Sequence, residues 1–190
     1  MNPVIRVALI DDQQLVSAGL AMVIDSQDDM AVVGQAADGA EAVRLLTSLR
    51  CDVALMDVRM PELDGIEATR RILADADAAG RTPPRIVMLT TYDLDEYLLT
   101  AISAGASGFL LKNAPPQDLL TAIRTVHSGD AVIAPSATRR LLDHVASGVP
   151  PVADPRLECL TDRETEVLGL IALGMSNAEI STSLYLSETT

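Results

Sequence analysis

The sequence predicts an α/β fold, a doubly wound parallel sheet of five strands, from two observations. First, five short apolar runs recur between residues 4 and 112, and each is followed by a segment with helical spacing of its apolar residues. Second, these runs are apolar throughout rather than alternating with polar residues, which is typical of parallel strands that helices cover on both faces. We therefore expect the strand order 2-1-3-4-5 that such folds commonly adopt.

Each predicted strand leads directly into a predicted helix. The strands are VIRVALI (4–10), MAVVGQAA (30–37), DVALMD (52–57), RIVMLT (85–90) and SGFLLK (107–112). Pro115 and Pro116 open the fifth helix, a position that suits proline. The apolar faces of the helices are predicted to contain Leu15, Gly19 and Met22; Ala42, Leu46 and Leu49; Ile66, Leu73 and Ala76; Leu94, Leu98 and Ile102; and Leu119, Ile123 and Val126.

The remaining third of the chain has a different organisation. We predict a first domain over 1–129, a linker over 130–156 with a short helix in SATRRLLDHVA, and a partial all-α unit over 157–190. The linker assignment depends on SGVPPVADP, whose glycine and proline content is typical of connecting segments. Two capping boxes, Thr161–Glu164 and Ser176–Glu179, each precede a helical run, and Ser187 has the character of a third helix cap.

Composition limits the classes of function. Hydrophobic residues make up 48% of the 190 residues, enough for a core, and stretches such as LGLIALGM are too short for a membrane span. We expect a cytoplasmic protein without membrane contact, with Cys51 and Cys159 as reduced thiols. The net charge of −13 argues against a nucleic-acid partner for the chain as written.

Three aspartates follow predicted strands that should be neighbours. Asp11 and Asp12 come after the first strand, and Asp57 ends the third. In the order 2-1-3-4-5 the chain reverses direction between these strands and opens a crevice at their carboxyl ends. Carboxylates that converge repel one another unless a cation compensates them. The sequence therefore predicts a site for a hard divalent cation such as Mg²⁺.

Two further groups stand at the ends of the next strands, Thr90 after the fourth and Lys112 after the fifth. An ammonium and a hydroxyl beside a metal-bound carboxylate suit phosphoryl transfer, because they can neutralise and hydrogen-bond the phosphoryl oxygens. An aspartate can itself act as the nucleophile and carry the group as an acyl phosphate.

These motifs closely resemble the receiver domain of two-component response regulators. The resemblance covers residues 4–129 and is carried by LIDDQ, LMDVRMPELDG, LTTYD and GASGFLLK. It implies a flavodoxin-like fold and a sensor histidine kinase as the phosphoryl donor. The roles it implies are Asp57 as phosphoacceptor; Asp12, Asp57 and the Arg59 backbone carbonyl as Mg²⁺ ligands with Asp11 assisting; Lys112 as the phosphate-contacting ammonium; and Thr90 with Phe109 as the switch. Phe109 stands where such receivers often have tyrosine, and Asn113 where they have proline.

The segment LTDRETEVLGLIALGMSNAEISTSLYLSETT resembles the start of a LuxR-type helix-turn-helix domain, as in NarL/FixJ-family regulators. The resemblance implies that the recognition helix begins near Ser187, so we expect the chain to be truncated within its DNA-binding domain. Residues 156–190 contain two basic and six acidic residues, a sum of −4. We therefore expect promoter DNA to be bound by the full-length protein only, as a homodimer on activation.

Two other classes of function compete with a phosphorylation-controlled transcriptional regulator, which is not an enzyme. A phosphohydrolase of the haloacid dehalogenase type uses a similar set of groups, but it would require a second aspartate two residues after the nucleophile, where Gln13 follows Asp11. An atypical receiver would act by protein contacts alone. Incubation with a small phosphodonor and Mg²⁺ separates the three classes. A phosphorylation-controlled regulator forms a stable aspartyl phosphate, a phosphohydrolase turns the donor over, and an atypical receiver does not react. His127 and His144 are expected to be structural rather than phosphorelay donors.

Overall fold

A computed structural model of the protein describes residues 4–91, 94–135, 137–139 and 141–142. Strands and helices alternate in chain order, and the strands form one parallel sheet with the order β2-β1-β3-β4-β5-β6. The elements are β1 (Ile5–Ile10), α1 (Gln14–Asp25), β2 (Met30–Ala36), α2 (Gly39–Ser48), β3 (Val53–Asp57), α3 (Gly65–Ala78), β4 (Arg85–Thr90), α4 (Leu94–Ser103), β5 (Gly108–Leu111), α5 (Pro116–Ser128) and β6 (Val132–Ile133). The predicted doubly wound α/β fold is confirmed.

The core has two layers, one on each face of the sheet. Because successive side chains of a strand point to opposite faces, neighbouring residues of β3 enter different layers. Ala54 and Met56 pack with α2, α3 and α4, whereas Val53 and Leu55 pack with α1 and α5. All five residues of β3 are buried. The strand that ends in Asp57 is therefore held on both faces, which fixes the position of its last residue.

The sheet has one strand more than we predicted in the part of the chain that the structure describes. Val132 and Ile133 pair with Gly108 and Phe109 and form a short parallel strand at the edge of β5. The sequence predicts a linker at these two positions. Two residues are too few to show a period, so tertiary pairing alone decides that they are extended.

The orientation of α1 also differs from the prediction. Leu15 and Met22 were expected on its buried face, yet they are 88% and 76% exposed. The buried residues of this helix are Ser17 and Ile24. The hydroxyl of Ser17 donates a hydrogen bond to the Gln35 side chain, which satisfies this buried polar group.

The described residues extend a short way into the predicted linker. Residues 137–139 and 141–142 are helical, in agreement with the short helix predicted there. The predicted unit over 157–190, its capping boxes, Cys159 and His144 lie outside the described residues, and the domain boundaries stay predictions. In the described part of the chain, none of the helices has both the length and the apolar character needed to cross a membrane.

Candidate functional site

Three carboxylates meet at the carboxyl ends of the two central strands. Asp11 directly follows β1 and Asp57 ends β3, and these strands are neighbours in register, with Ile10 opposite Met56. Carboxylate oxygens of Asp11, Asp12 and Asp57 lie within 4.8 Å of one another. Asp11 and Asp57 are each 4% exposed, whereas Asp12 faces solvent. The predicted convergence is therefore present, with one of its three members open to water.

Lys112 reaches into this cluster from the end of β5. Its Nζ lies 2.6 Å from Asp57 Oδ2 and 2.8 Å from Asp11 Oδ2, and its side chain is 4% exposed. The backbone N–H of Lys112 donates to the Thr90 carbonyl at 2.8 Å, which continues the pairing of β4 with β5. A single buried ammonium thus bridges two buried carboxylates.

The electrostatics of the pair follow from burial and charge. Burial raises the pKa of Asp57 above its ordinary value, because desolvation outweighs the hydrogen bond and the positive charge of Lys112, while the charge of Asp11 adds to the increase. For Lys112, burial acts to lower the pKa, but the close carboxylates of Asp11 and Asp57 outweigh it, so the pKa is raised. The Lys112 ammonium is therefore protonated at neutral pH. The contacts of the Asp57 carboxylate do not fully offset the free-energy cost of burying its charge.

Backbone groups position the carboxylates. The Gln13 N–H donates to Asp11 Oδ1 at 2.8 Å, and the Arg59 N–H donates to Asp57 Oδ1 at 3.4 Å, a long hydrogen bond. The loop after β3 is tied down at both ends. The N–H of Val58 donates to the Leu89 carbonyl at 2.9 Å, and the N–H of Gly65 donates to the Val58 carbonyl at 3.0 Å.

Gly65 comes very close to the backbone of the candidate phosphoacceptor. A Cβ on Gly65 would stand 1.9 Å from the Asp57 carbonyl oxygen and 2.8 Å from Met56 Cγ. Only glycine therefore allows α3 to begin so close to the end of β3. Sequence reasoning did not single out this residue, although its place after a helix cap, Asp64, was a usable signal.

The cluster fits a divalent cation. Asp11 Oδ2 is buried and, among the described residues, has no partner with hydrogen-bond geometry, although Lys112 Nζ is near it. The charge of this oxygen is compensated only by an ammonium that Asp11 shares with Asp57, so a further cation would relieve the repulsion that remains in the cluster. Three carboxylates with one exposed member suit a small ion that keeps several waters.

The two predicted switch residues lie on the neighbouring strands. Thr90 is the last residue of β4 and is 5% exposed, and Phe109 lies in β5, opposite Met88, and is 1% exposed. The Lys112–Asn113 peptide bond is trans, as are all peptide bonds of the described residues.

Arg59, predicted only as a carbonyl ligand, has a further contact that sequence reasoning missed. Its guanidinium lies over the ring of Tyr97, 5.1 Å from the centroid, and donates a hydrogen bond to the Tyr97 hydroxyl. The contact joins the loop after β3 to α4. No local motif predicts it, because the two residues are 38 positions apart.

Comparison with known proteins assigns the two parts of the chain. Residues 7–124 match the response regulator receiver domain, and residues 158–190 match the bacterial regulatory proteins of the luxR family. The transcriptional regulatory protein YxjL of Bacillus subtilis (strain 168) is 41% identical over 187 residues, which cover 98% of this chain and 84% of YxjL.

The solved structures that resemble this chain are also response regulators. The crystal structure of the response regulator ChrA, from a heme-sensing two-component system, has 37% identity and a TM-score of 0.58, with 97% of this chain and 83% of ChrA covered. A structure of RcsB dimers bound to DNA has 25% identity and a TM-score of 0.63, with 97% and 84% covered.

The fold, the acidic cluster and these matches define a receiver joined to a LuxR-type DNA-binding domain. The chain belongs to the response regulators of two-component systems, in the NarL/FixJ family, which regulate transcription.

Proposed function

We propose that the chain accepts a phosphoryl group on Asp57 from a sensor histidine kinase and that this modification controls transcription. The observation that carries the proposal is the position of Asp57, which is buried at the end of β3 with Lys112 Nζ at 2.6 Å and two further aspartates beside it. A structural ion pair would require one carboxylate. The second and third carboxylates add repulsion, which is useful where a cation and a phosphoryl group are to be bound.

The transfer follows from the chemistry of the carboxylate. An oxygen of Asp57 attacks phosphorus, the new O–P bond forms, and the P–N bond of the kinase phosphohistidine breaks with its electron pair on the imidazole nitrogen. Lys112 lies within reach of the incoming phosphoryl oxygens and offsets their charge. The hydrogen bond from the Arg59 N–H to Asp57 Oδ1 is long, at 3.4 Å, so it competes only weakly for the lone pairs of that oxygen.

Mg²⁺ is the cation we expect at this site. Asp12, Asp57 and the backbone carbonyl of Arg59 would hold it, with Asp11 assisting, and the bound ion would neutralise charge on the phosphoryl oxygens. Asp11 also has a role of its own, because its carboxylate holds Lys112 next to Asp57.

The phosphoryl group would be read out through Thr90 and Phe109. A hydrogen bond from the Thr90 hydroxyl to the phosphoryl exists in one state only, and such a difference in affinity shifts a conformational equilibrium. Movement of Thr90 would vacate space beside β5, which the buried ring of Phe109 can occupy. We expect homodimer formation on phosphorylation and binding of promoter DNA by the full-length protein, in the cytoplasm.

Intact-mass measurement after treatment with acetyl phosphate and Mg²⁺ tests the acceptor. We expect one added phosphoryl group on the native chain and on Asp28→Asn, a matched control at an exposed aspartate. The Asp57→Asn variant should gain none. Stoichiometric labelling of Asp57→Asn would refute the assignment, and continuous release of phosphate by the native chain would indicate an enzyme rather than a switch.

A second measurement separates acceptance from readout. The Thr90→Ala variant should still gain one phosphoryl group, yet it should show no change in oligomeric state by sedimentation. Dimer formation by this variant to the same extent as the native chain would show that the signal leaves the site by another route.

A further inference from the structure

A cleft at the opposite edge of the sheet concentrates positive charge. It has a volume of about 530 Å³ and lies at the amino-terminal ends of β1, β3 and β4. Four of the chain's 14 basic residues line it: Arg6, Arg50, Arg81 and Arg85. Asp52 is the one carboxylate among its lining residues, so the cleft has a surplus of three positive charges on a chain of net charge −13.

The backbone of the sheet sets the spacing of these groups. The Asp52 N–H donates to the Arg6 carbonyl at 2.9 Å, and the Arg85 N–H donates to the Asp52 carbonyl at 3.0 Å. These three residues therefore follow one another across adjacent strands. Arg81 is fixed by the hydrogen bond from its own N–H to the Ala76 carbonyl at 2.8 Å, where α3 ends. Arg6 and Arg85 lie in β1 and β4, whereas Arg50 and Arg81 follow α2 and α3, so four separate segments bring the arginines to one edge of the sheet.

One of the four arginines has a partner, and within the described part of the chain the other three have none. Arg6 forms a forked pair with Asp52, at 3.0 Å from Nε and 2.7 Å from Nη2. Among the described residues, the guanidinium groups of Arg50, Arg81 and Arg85 form no ion pair and no side-chain hydrogen bond. Asp52 is thus occupied by Arg6, and three planar donors face a cleft that offers them no carboxylate.

We propose that this cleft binds a small anion that carries two linked phosphoryl groups, either a free diphosphate or the diphosphate of a nucleotide. Three guanidinium groups match the charge of a diphosphate, and their forked N–H groups match the geometry of phosphate oxygens. Leu49 and Pro83, both half-buried, add an apolar wall on which a base can lie. The volume is within the range of small-ligand sites.

The cleft is separate from the phosphoacceptor. Asp52 and Asp57 are five residues apart on an extended strand, which places the two sites about 17 Å from each other. Cys51 also lines the cleft, but its thiol donates to the Val53 carbonyl at 3.0 Å, and burial raises its pKa to about 11. The thiol is therefore protonated and neutral at pH 7, so it neither repels an anion in the cleft nor neutralises the arginines.

Calorimetric titration of the full chain, without Mg²⁺, tests the proposal with pyrophosphate and with ADP. The test variant is Arg50→Gln/Arg81→Gln/Arg85→Gln. The control is Arg44→Gln/Arg70→Gln/Arg71→Gln, which changes the net charge equally at exposed positions outside the cleft. We expect a loss of about tenfold in affinity for each cleft guanidinium removed, and retained affinity in the control.

The outcomes separate the possible ligands. Tighter binding of ADP than of pyrophosphate would support a nucleotide that uses the apolar wall, and equal affinities would support a free diphosphate. Absence of binding by the native chain, or an equal loss in both triple variants, would overturn the proposal and leave the arginines as partners of the helix carboxyl ends. Binding of duplex DNA but of neither small probe would also overturn it.

Discussion

Replacing Gly65 with alanine should damage both the stability of the receiver and its phosphorylation. Gly65 begins α3 directly beside the last residue of β3, where an alanine Cβ would stand 1.9 Å from the Asp57 carbonyl oxygen. Helix propensity alone predicts the opposite sign, because alanine is favoured over glycine in a helix by roughly 0.5–1 kcal/mol. The sign of the measured change therefore decides whether the close approach dominates.

The magnitude follows from the size of the clash. Contacts of a Cβ below 3.0 Å essentially do not occur, so the backbone of Asp57 or of Gly65 must move by about 1.1 Å. Such a movement lengthens the hydrogen bond from the Gly65 N–H to the Val58 carbonyl, now 3.0 Å, beyond useful range. Overpacking of this kind costs about 1–3 kcal/mol, and one lost hydrogen bond adds about 1 kcal/mol. We expect a loss of roughly 2–4 kcal/mol in the free energy of unfolding.

Urea unfolding and the rate of labelling by acetyl phosphate measure the two effects. A displacement of about 1 Å at a reacting group can slow a reaction on the order of a hundredfold, so labelling of Gly65→Ala should be strongly reduced. Gly19→Ala is the matched control, because Gly19 lies in α1 with nothing within 4 Å of its added Cβ. The reasoning would be refuted if the free energy of unfolding of Gly65→Ala lay within about 0.5 kcal/mol of the native value and the variant were labelled at the native rate.

The other predictions concern charge and packing. The folded state raises the pKa of Asp57 mainly by burial, so protonation of Asp57 favours folding below about pH 3.9 and that contribution is lost as the pH rises through the folded pKa. Asp57→Asn should therefore be more stable than the native chain at pH 7 without Mg²⁺, by urea unfolding, and equal stability at pH 7 would contradict this. Phe109→Ala should lose about 3–5 kcal/mol because the ring is 1% exposed, whereas Leu15→Ala, at 88% exposure, should change stability by less than about 0.5 kcal/mol. Similar thermal midpoints for these two variants would show that the ring contributes little to the core.

The acidic site could be predicted almost completely, because the topology of a parallel sheet decides which strand ends meet. Asp11, Asp57, Thr90 and Lys112 each follow or end an apolar run, and the order of the strands brings them to one edge. The ion pairs of Lys112 could not be predicted in the same way. They depend on side-chain reach across two strands, as 2.6 and 2.8 Å contacts, which no sequence spacing specifies.

The sequence by itself determined the order of strands and helices and the residues at the strand ends, because period and run length are local properties of the chain. Only the tertiary structure decided which side of α1 is buried, since Leu15 and Met22 fit a helical apolar face equally well whether a neighbour covers it or not. It also decided the pairing of β6 and the gathering of Arg50 and Arg81 at one edge of the sheet. These features join residues that are distant in sequence, and their free energy comes from contacts that exist only once the sheet has formed.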